Sequence, residues 1–416
     1  MASGFHGKTQ GRSSSVISSK DDGQDTGALN QPRAQLDKKS AKIHTVIDTP
    51  YFTPAQIEKL MARTRMNKMP AAKWEQIKMA ACSYIMAVGS KLGIPQRTVA
   101  SAQLLYQRFH LFYPPSDFAM HQVALASLFT ASKLNDTQKR MDEYLFAGYM
   151  FRYPELLTPP SAGSSNGVDW VAHAKLSDAD VDHETMAQEK LRLLTLERML
   201  LQCLCFQLGM RAGNVLRLVV KVARSWGMPS SLAISAWRAA CDSHRTCSPL
   251  IYPPQTVAIG SLYAACLLSA TENDSQEILD KFAEEQSTWA SELHACMDDV
   301  KDVAMQILSM YQAYLPHLES HGSHPIPPYV SYPPPMGLIA WYNTRCKAAL
   351  PVTTAELEHA LTQTKIRLRQ DEEARKQPEN LRRKYAVKRA MDSLPTTMYR
   401  ADPLEQQMVA TRYLLE

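Results

Sequence analysis

Two stretches of this sequence run in step, 134 residues apart. Gly93-Ile94-Pro95 matches Gly227-Met228-Pro229, and Ser101-Ala102 matches Ser235-Ala236. Ala124-Leu125-Ala126-Ser127-Leu128-Phe129-Thr130-Ala131 matches Ala258-Ile259-Gly260-Ser261-Leu262-Tyr263-Ala264-Ala265. Tyr113-Pro114-Pro115 returns as Tyr252-Pro253-Pro254, five residues out of step, as a loop insertion produces. Matches that keep one order and one offset mean a structural unit used twice in tandem.

The unit is helical. Thr53-Pro54-Ala55-Gln56 combines an N-cap hydroxyl, a first-turn proline and a Gln at the capping-box position, so a helix starts there. Trp74, Ile77, Ala81, Tyr84, Val88 and Leu92 then recur at helical spacing up to Gly93, a C-cap glycine. Pro95 opens a helix with Val99, Ala102, Leu105, Tyr106, Phe109 and Phe112 on one side. Residues 118 to 134 are apolar or small nearly all round, which predicts a helix enclosed by its neighbours. Asp136 is read as the N-cap of a helix from Thr137 to Phe151, and another runs from near Glu184 to Leu208. No alternating strand pattern occurs, so the fold class is all-α. The repeated unit is a bundle of about five helices with the third one buried. Its second copy covers residues 211–315 and ends with Ile278 to Glu284 and one long helix from Trp289 to Tyr314.

Around these copies the organisation is uneven. Residues 1–45 are too polar to offset the entropy of ordering and read as a disordered arm. The first copy covers 50–151 and, after a flexible insertion at 152–183, closes with a helix at 184–210. A Pro-rich linker, 316–350, ends the folded part, and 351–416 is a charged, partly helical tail. The net charge of +5 over 416 residues is too mild to mark a nucleic-acid binder. Between Lys365 and Arg389, however, ten basic residues face four acidic ones, either a nuclear-import or nucleic-acid contact segment or a solvated helical face. No apolar run reaches membrane-spanning length and no signal peptide opens the chain, which predicts an intracellular protein without membrane contact. The eight cysteines include no C-x-x-C pair and read as reduced thiols.

No catalytic constellation assembles. Gly7-Lys8-Thr9 fits the end of a P-loop, but Ala2 occupies the first glycine's place and no strand precedes it. Kinase, hydrolase-elbow and H-E-x-x-H signatures are missing. His321 and His324 lie without Cys partners in the Pro-rich stretch, so neither a metal nor a cofactor is expected.

Ala131-Ser132-Lys133-Leu134-Asn135-Asp136-Thr137, at the end of the apolar helix, resembles the cyclin-box signature. Leu196-Glu197 followed by Phe206-Gln207-Leu208 resembles the fifth cyclin-box helix. The resemblance covers about residues 50 to 315, and Arg152-Tyr153-Pro154-Glu155-Leu156 and Pro249-Leu250-Ile251-Tyr252-Pro253-Pro254 look most like the fungal transcriptional cyclins. It implies a non-catalytic, nuclear partner of a cyclin-dependent kinase that phosphorylates the RNA polymerase II C-terminal domain to promote elongation, with room for a third subunit. Carried over, Lys133 and Glu197 make the polar contacts to the kinase's C-helix, Phe206 and Leu208 anchor it, and Asp136 belongs to the same site.

Asn135 departs from the family pattern by replacing its first acidic residue, and about sixty residues separate Lys133 from Glu197, more than a compact box requires. A general transcription factor of the TFIIB type also has two such repeats, used on promoter DNA, but it ordinarily carries an N-terminal zinc ribbon and no Cys precedes Cys82. A basic surface across the second repeat is expected of that alternative, and a charged and apolar patch around Lys133 and Glu197 of the kinase partner.

Overall fold

Thr53 and Gln56 bond reciprocally, Thr53 N–H to Gln56 Oε1 at 2.8 Å and Gln56 N–H to Thr53 Oγ1 at 3.2 Å, and α1 (Pro54–Arg65) follows from this capping box. The computed structural model describes residues 51–65, 69–153, 182–204, 206, 213–269, 273–284, 286–319, 333–346, 355–370 and 373, among which there is no strand. The first bundle is α2 (Ala71–Lys91), α3 (Gln96–Phe112), α4 (Met120–Leu134), α5 (Met141–Arg152) and α6 (His183–Cys203). The second is α7 (Gly213–Ser225), α8 (Ser230–Ser243), the short α9 (Ser248–Ile251), α10 (Pro254–Leu268), α11 (Asn273–Glu284), α12 (Gln286–Leu293) and α13 (Met297–Glu319).

The repeat is visible in the backbone. Gly93 and Gly227 adopt φ of 64° and 65°, and each ends its helix with the same two bonds. Gly93 N–H reaches Ser90 O and Ile94 N–H reaches Gly89 O, while Gly227 N–H reaches Arg224 O and Met228 N–H reaches Ala223 O. The expected central helices are central: Val123 to Ser132 in α4 and Thr256 to Cys266 in α10 are buried without a break. The first packs on four helices of its own bundle and the second on five, the short α9 among them. Their hydroxyls are satisfied one turn back, Ser127 on Val123 O and Ser261 on Val257 O, so burying them leaves no orphan. Gly260 lets α13 approach: a Cβ there would lie 2.5 Å from Val303 Cβ.

The bundles join through α3, whose second face was not expected to be buried. Ala100, Leu104 and Leu111 pack into the second bundle's core, while Val99, Ala102, Leu105, Tyr106 and Phe109 face the first. Gln107 Nε2 donates to His244 O at 2.6 Å and Arg108 Nε to Cys203 O at 3.0 Å, which seals the last turn of α6. Phe112, predicted on the inner side, is 39% exposed and lies 6.3 Å from the Phe52 ring.

Several boundaries differ from the sequence reading. The α5 helix starts at Met141, and Asp136 is no N-cap: at φ 53° it occupies the left-handed position after α4, with Thr137 N–H on Ser132 O at 2.9 Å. Aspartate serves both roles, because its short polar side chain tolerates that conformation. The α6 helix ends at Cys203. The predicted single helix from Trp289 to Tyr314 breaks at His294, φ 48°, into α12 and α13. Nor do the prolines end the packed chain. Pro316 lies inside α13, α14 (Met336–Cys346) packs on α8, and α15 (355–370) buries Leu357, Leu361 and Leu368.

Asp242 and Arg245 hold α14 in place. The Asp242 carboxylate accepts from Gly337 N–H at 2.6 Å, Met336 N–H at 2.9 Å and Tyr311 Oη at 2.8 Å, an internal N-cap supplied by another helix. Arg245, wholly buried, donates to Ser83 Oγ, Tyr314 Oη and Pro333 O, so one side chain ties both bundles to the segment before α14. Burial raises the Asp242 carboxyl above the usual range, and Arg245 opposes that shift.

Among the described cysteines Cys82, Cys203, Cys241 and Cys266 are buried free thiols, Cys247 is half-buried and Cys296 exposed. No described helix is long and apolar enough to cross a membrane. The arm, most of the insertion, His321, His324 and most of the basic run after Lys365 lie outside the described residues.

Candidate functional site

Because α4 is enclosed by its neighbours, its last turn is the first place where it can present a charge. Lys133 stands there, with Phe129 one turn earlier on the same face. Leu193, Leu196 and Leu200 bury the inner stripe of α6 in the first bundle, which leaves Glu197 beside the end of α4.

Lys133 Nζ lies 2.8 Å from Glu197 Oε1 and 2.9 Å from Oε2, and 4.2 Å from the centre of the Phe129 ring. The lysine side chain is 39% exposed and the glutamate's 12%. At that exposure the pair adds at most about 1 kcal/mol to stability, and the ring a similar amount. Its consequence is geometric: both charges are fixed in one place with part of their hydrogen-bonding capacity still turned outward. The sequence reading treated the two residues as separate contacts and did not foresee that they meet.

Apolar side chains on α6 and just beyond it stand without burial. Leu194, one turn before Glu197 on α6, is 43% exposed and Leu191 66%. Both lie off the buried stripe, a signal the periodicity carries and the sequence reading passed over. Phe206 follows two residues beyond the α6 C-cap, 64% exposed at φ 57°, with its N–H on Leu201 O at 3.0 Å. Asp136 is exposed just past the end of α4. Leu208 lies outside the described residues. The result is a charged pair with exposed apolar residues on its own helix and just beyond, a composition suited to gripping another protein. Among the described residues no group of His, Cys, Asp and Glu is arranged to hold a metal ion.

Residues 49–209 match a family model described as the cyclin N-terminal domain. Over 270 residues the chain is 31% identical to the CTD kinase subunit beta of Schizosaccharomyces pombe, an alignment covering 64% of this chain and 69% of that one. It is 24% identical over 269 residues to cyclin pch1 of the same organism, covering 62% and 70%. Cyclin-T1-2 of Oryza sativa is 26% identical over 216 residues, covering 52% of this chain but 31% of that protein. In fold it is similar to a chain in the crystal structure of the yeast RNA polymerase II CTD kinase CTDK-1 complex, with a TM-score of 0.50 and 19% identity over 75% of this chain and 88% of that one.

Proposed function

The chain belongs to the cyclin family, and from that premise we propose that it is the regulatory subunit of a kinase that phosphorylates the RNA polymerase II C-terminal domain. It catalyses nothing itself. A protein kinase needs a strand lysine paired with a glutamate on its C-helix and an ordered activation loop. A partner that binds the inward position of that helix better than the outward one shifts the population toward the active state.

The observation that carries this reading is the fixed Lys133–Glu197 pair together with exposed Leu191 and Leu194 on α6 and Phe206 just beyond it. Lys133 and Glu197 are assigned the polar contacts to the C-helix, Phe206 and Leu208 the apolar grip, and Asp136 the rim of the same face. The protein works in the nucleus, and the basic run from Lys365 to Arg389 is its candidate import or nucleic-acid contact segment. The second bundle does carry a basic stripe, on α7. The similarity across most of the chain is nonetheless to cyclins, so the promoter-binding alternative is set aside.

Exchanging the charges, Lys133→Glu with Glu197→Lys, tests the assignment, because it preserves the internal ion pair while inverting the polarity offered to a partner. Circular dichroism should be unchanged, and kinase capture should weaken by about a hundredfold, the usual cost of setting like charges against each other in an interface. Full retained capture and activation would overturn the site.

A further inference from the structure

Where the two bundles meet near the end of α4, a groove of about 560 Å³ opens. One wall comes from the first bundle, with Arg97 in the first turn of α3 and Asn135 and Asp136 after α4. The other comes from α7 and α8, with Arg217, Val220, Lys221 and Trp237. The groove is distinct in composition from the patch around Lys133 and Glu197. Three of its side chains are exposed cations, and among the described residues none of the three has a carboxylate partner. Lys133, Lys190 and Arg192, by contrast, are each paired with an acid.

Arg217 and Lys221 are four residues apart on one helix, a like-charge placement that is destabilising unless something neutralises it. Beside them the surface is apolar, with Val220 38% exposed and Trp237 half-buried. Asp136 is the one carboxylate among the lining residues. An anion attached to an apolar or ring-bearing neighbour complements this arrangement: the guanidinium and ammonium groups take the anion and the indole takes the neighbour. A nucleic-acid backbone instead asks for cations that track successive phosphates; Arg224 continues the α7 stripe outside the groove, but the three cations that line the groove share it with Asp136 and the Trp237 indole.

We propose that this groove docks a phosphorylated serine segment of the kinase's own substrate, with the phosphate held by Arg97, Arg217 and Lys221 and the adjoining side chain against Trp237 and Val220. The proposal rests on the kinase-subunit reading for the source of the phosphate. Docking one phosphorylated segment would raise the local concentration of unmodified serines on the same substrate chain at the kinase, favouring successive phosphorylation.

The test uses the full chain alone, so it does not depend on capture of a kinase. A fluorescein-labelled polymerase C-terminal-domain peptide, with serine or with phosphoserine, is titrated by fluorescence polarisation. The phosphopeptide should bind at least about tenfold more tightly, a difference of about 1.4 kcal/mol. Arg217→Glu with Lys221→Glu, and separately Arg97→Glu, should each abolish the preference without changing thermal melting. Equal binding of the two peptides, or a preference that survives either variant, would overturn the proposal. So would tighter binding of a single-stranded RNA of equal charge lost in the same variants, which would make the groove a nucleic-acid site.

Discussion

Two kinds of residue behave differently here: those whose role the sequence announces, and those whose role depends on what other helices bring to them. Gly93 is of the first kind, since its place after an apolar stripe was enough to read it, and Gly227 follows as its counterpart in the repeat. Lys133 and Glu197 are each singled out by the sequence, but their pairing joins positions 64 apart and no local pattern shows it. Asp136 was misread because an Asp before a helix and an Asp after one look alike in a sequence. His110 is of the second kind. It lies among the rings of Trp74, Tyr106 and Phe109, 4.8 to 5.2 Å between centres, and burial pushes its imidazole down from 6.5 to about 4. Between those values the unfolded chain binds the proton that the folded one refuses, so His110's contribution is complete above 6.5 and is lost as pH falls toward 4. The melting temperature should therefore drop across that window, a loss of about 3 kcal/mol for this group. His110→Gln should reduce the slope measured by circular dichroism, leaving the part due to His121, which burial likewise pushes down to about 4; an unchanged slope would mean that His110 does not contribute.

At the level of helices, periodicity was enough wherever one stripe is buried and failed where two are. The α3 helix reads as amphipathic, yet its polar residues Gln103, Gln107, Arg108 and His110 are buried as well, Gln107 against His244 of the second bundle, Gln103 against Cys82 of α2, Arg108 against Cys203 of α6 and His110 among aromatic rings. Nothing on α3 alone says that a partner exists. The break at His294 was equally hidden, since neither Gly nor Pro marks it. The α14 helix was overlooked because prolines at 333 to 335 read as an end, whereas they precede a helix that Asp242 caps from another element. Asp242→Ala would leave the Tyr311 hydroxyl and two backbone N–H groups without their acceptor and would remove the carboxylate 3.9 Å from the buried Arg245 Nε. Removing one partner from such a buried charged cluster costs about 3–5 kcal/mol. Gly337→Ala tests the same latch sterically, because its new methyl would run into the Tyr311 hydroxyl and the Asp242 carboxylate. Both variants should lower the melting temperature and expose residues 333–346 to proteolysis, and a protected segment in both would show that the latch is not what holds it.

The whole molecule couples the duplication to one face of one copy. Repetition supplies two bundles with equivalent central helices, but Lys133 corresponds to Leu267, so only the first presents a charge at that position. The second bundle contributes support: Phe52 N–H reaches Leu250 O at 2.9 Å, Gln107 reaches His244 O, and Arg245 reaches Ser83. Beyond it, α15 rests on α13 through Gln312, which donates to Thr362 and accepts from Lys365. The sequence displayed the copies but not the contacts between them, because those contacts pair positions 137 to 198 residues apart. The central claim is that this framework activates a kinase rather than acting alone. Its most direct measurement is phosphate transfer to a polymerase C-terminal-domain peptide by the kinase captured on the tagged chain from nuclear extract, assayed with and without the chain. The account predicts a stoichiometric kinase whose activity depends on the chain. Recovery of polymerase and promoter DNA without a kinase, or a captured kinase equally active in its absence, would contradict it.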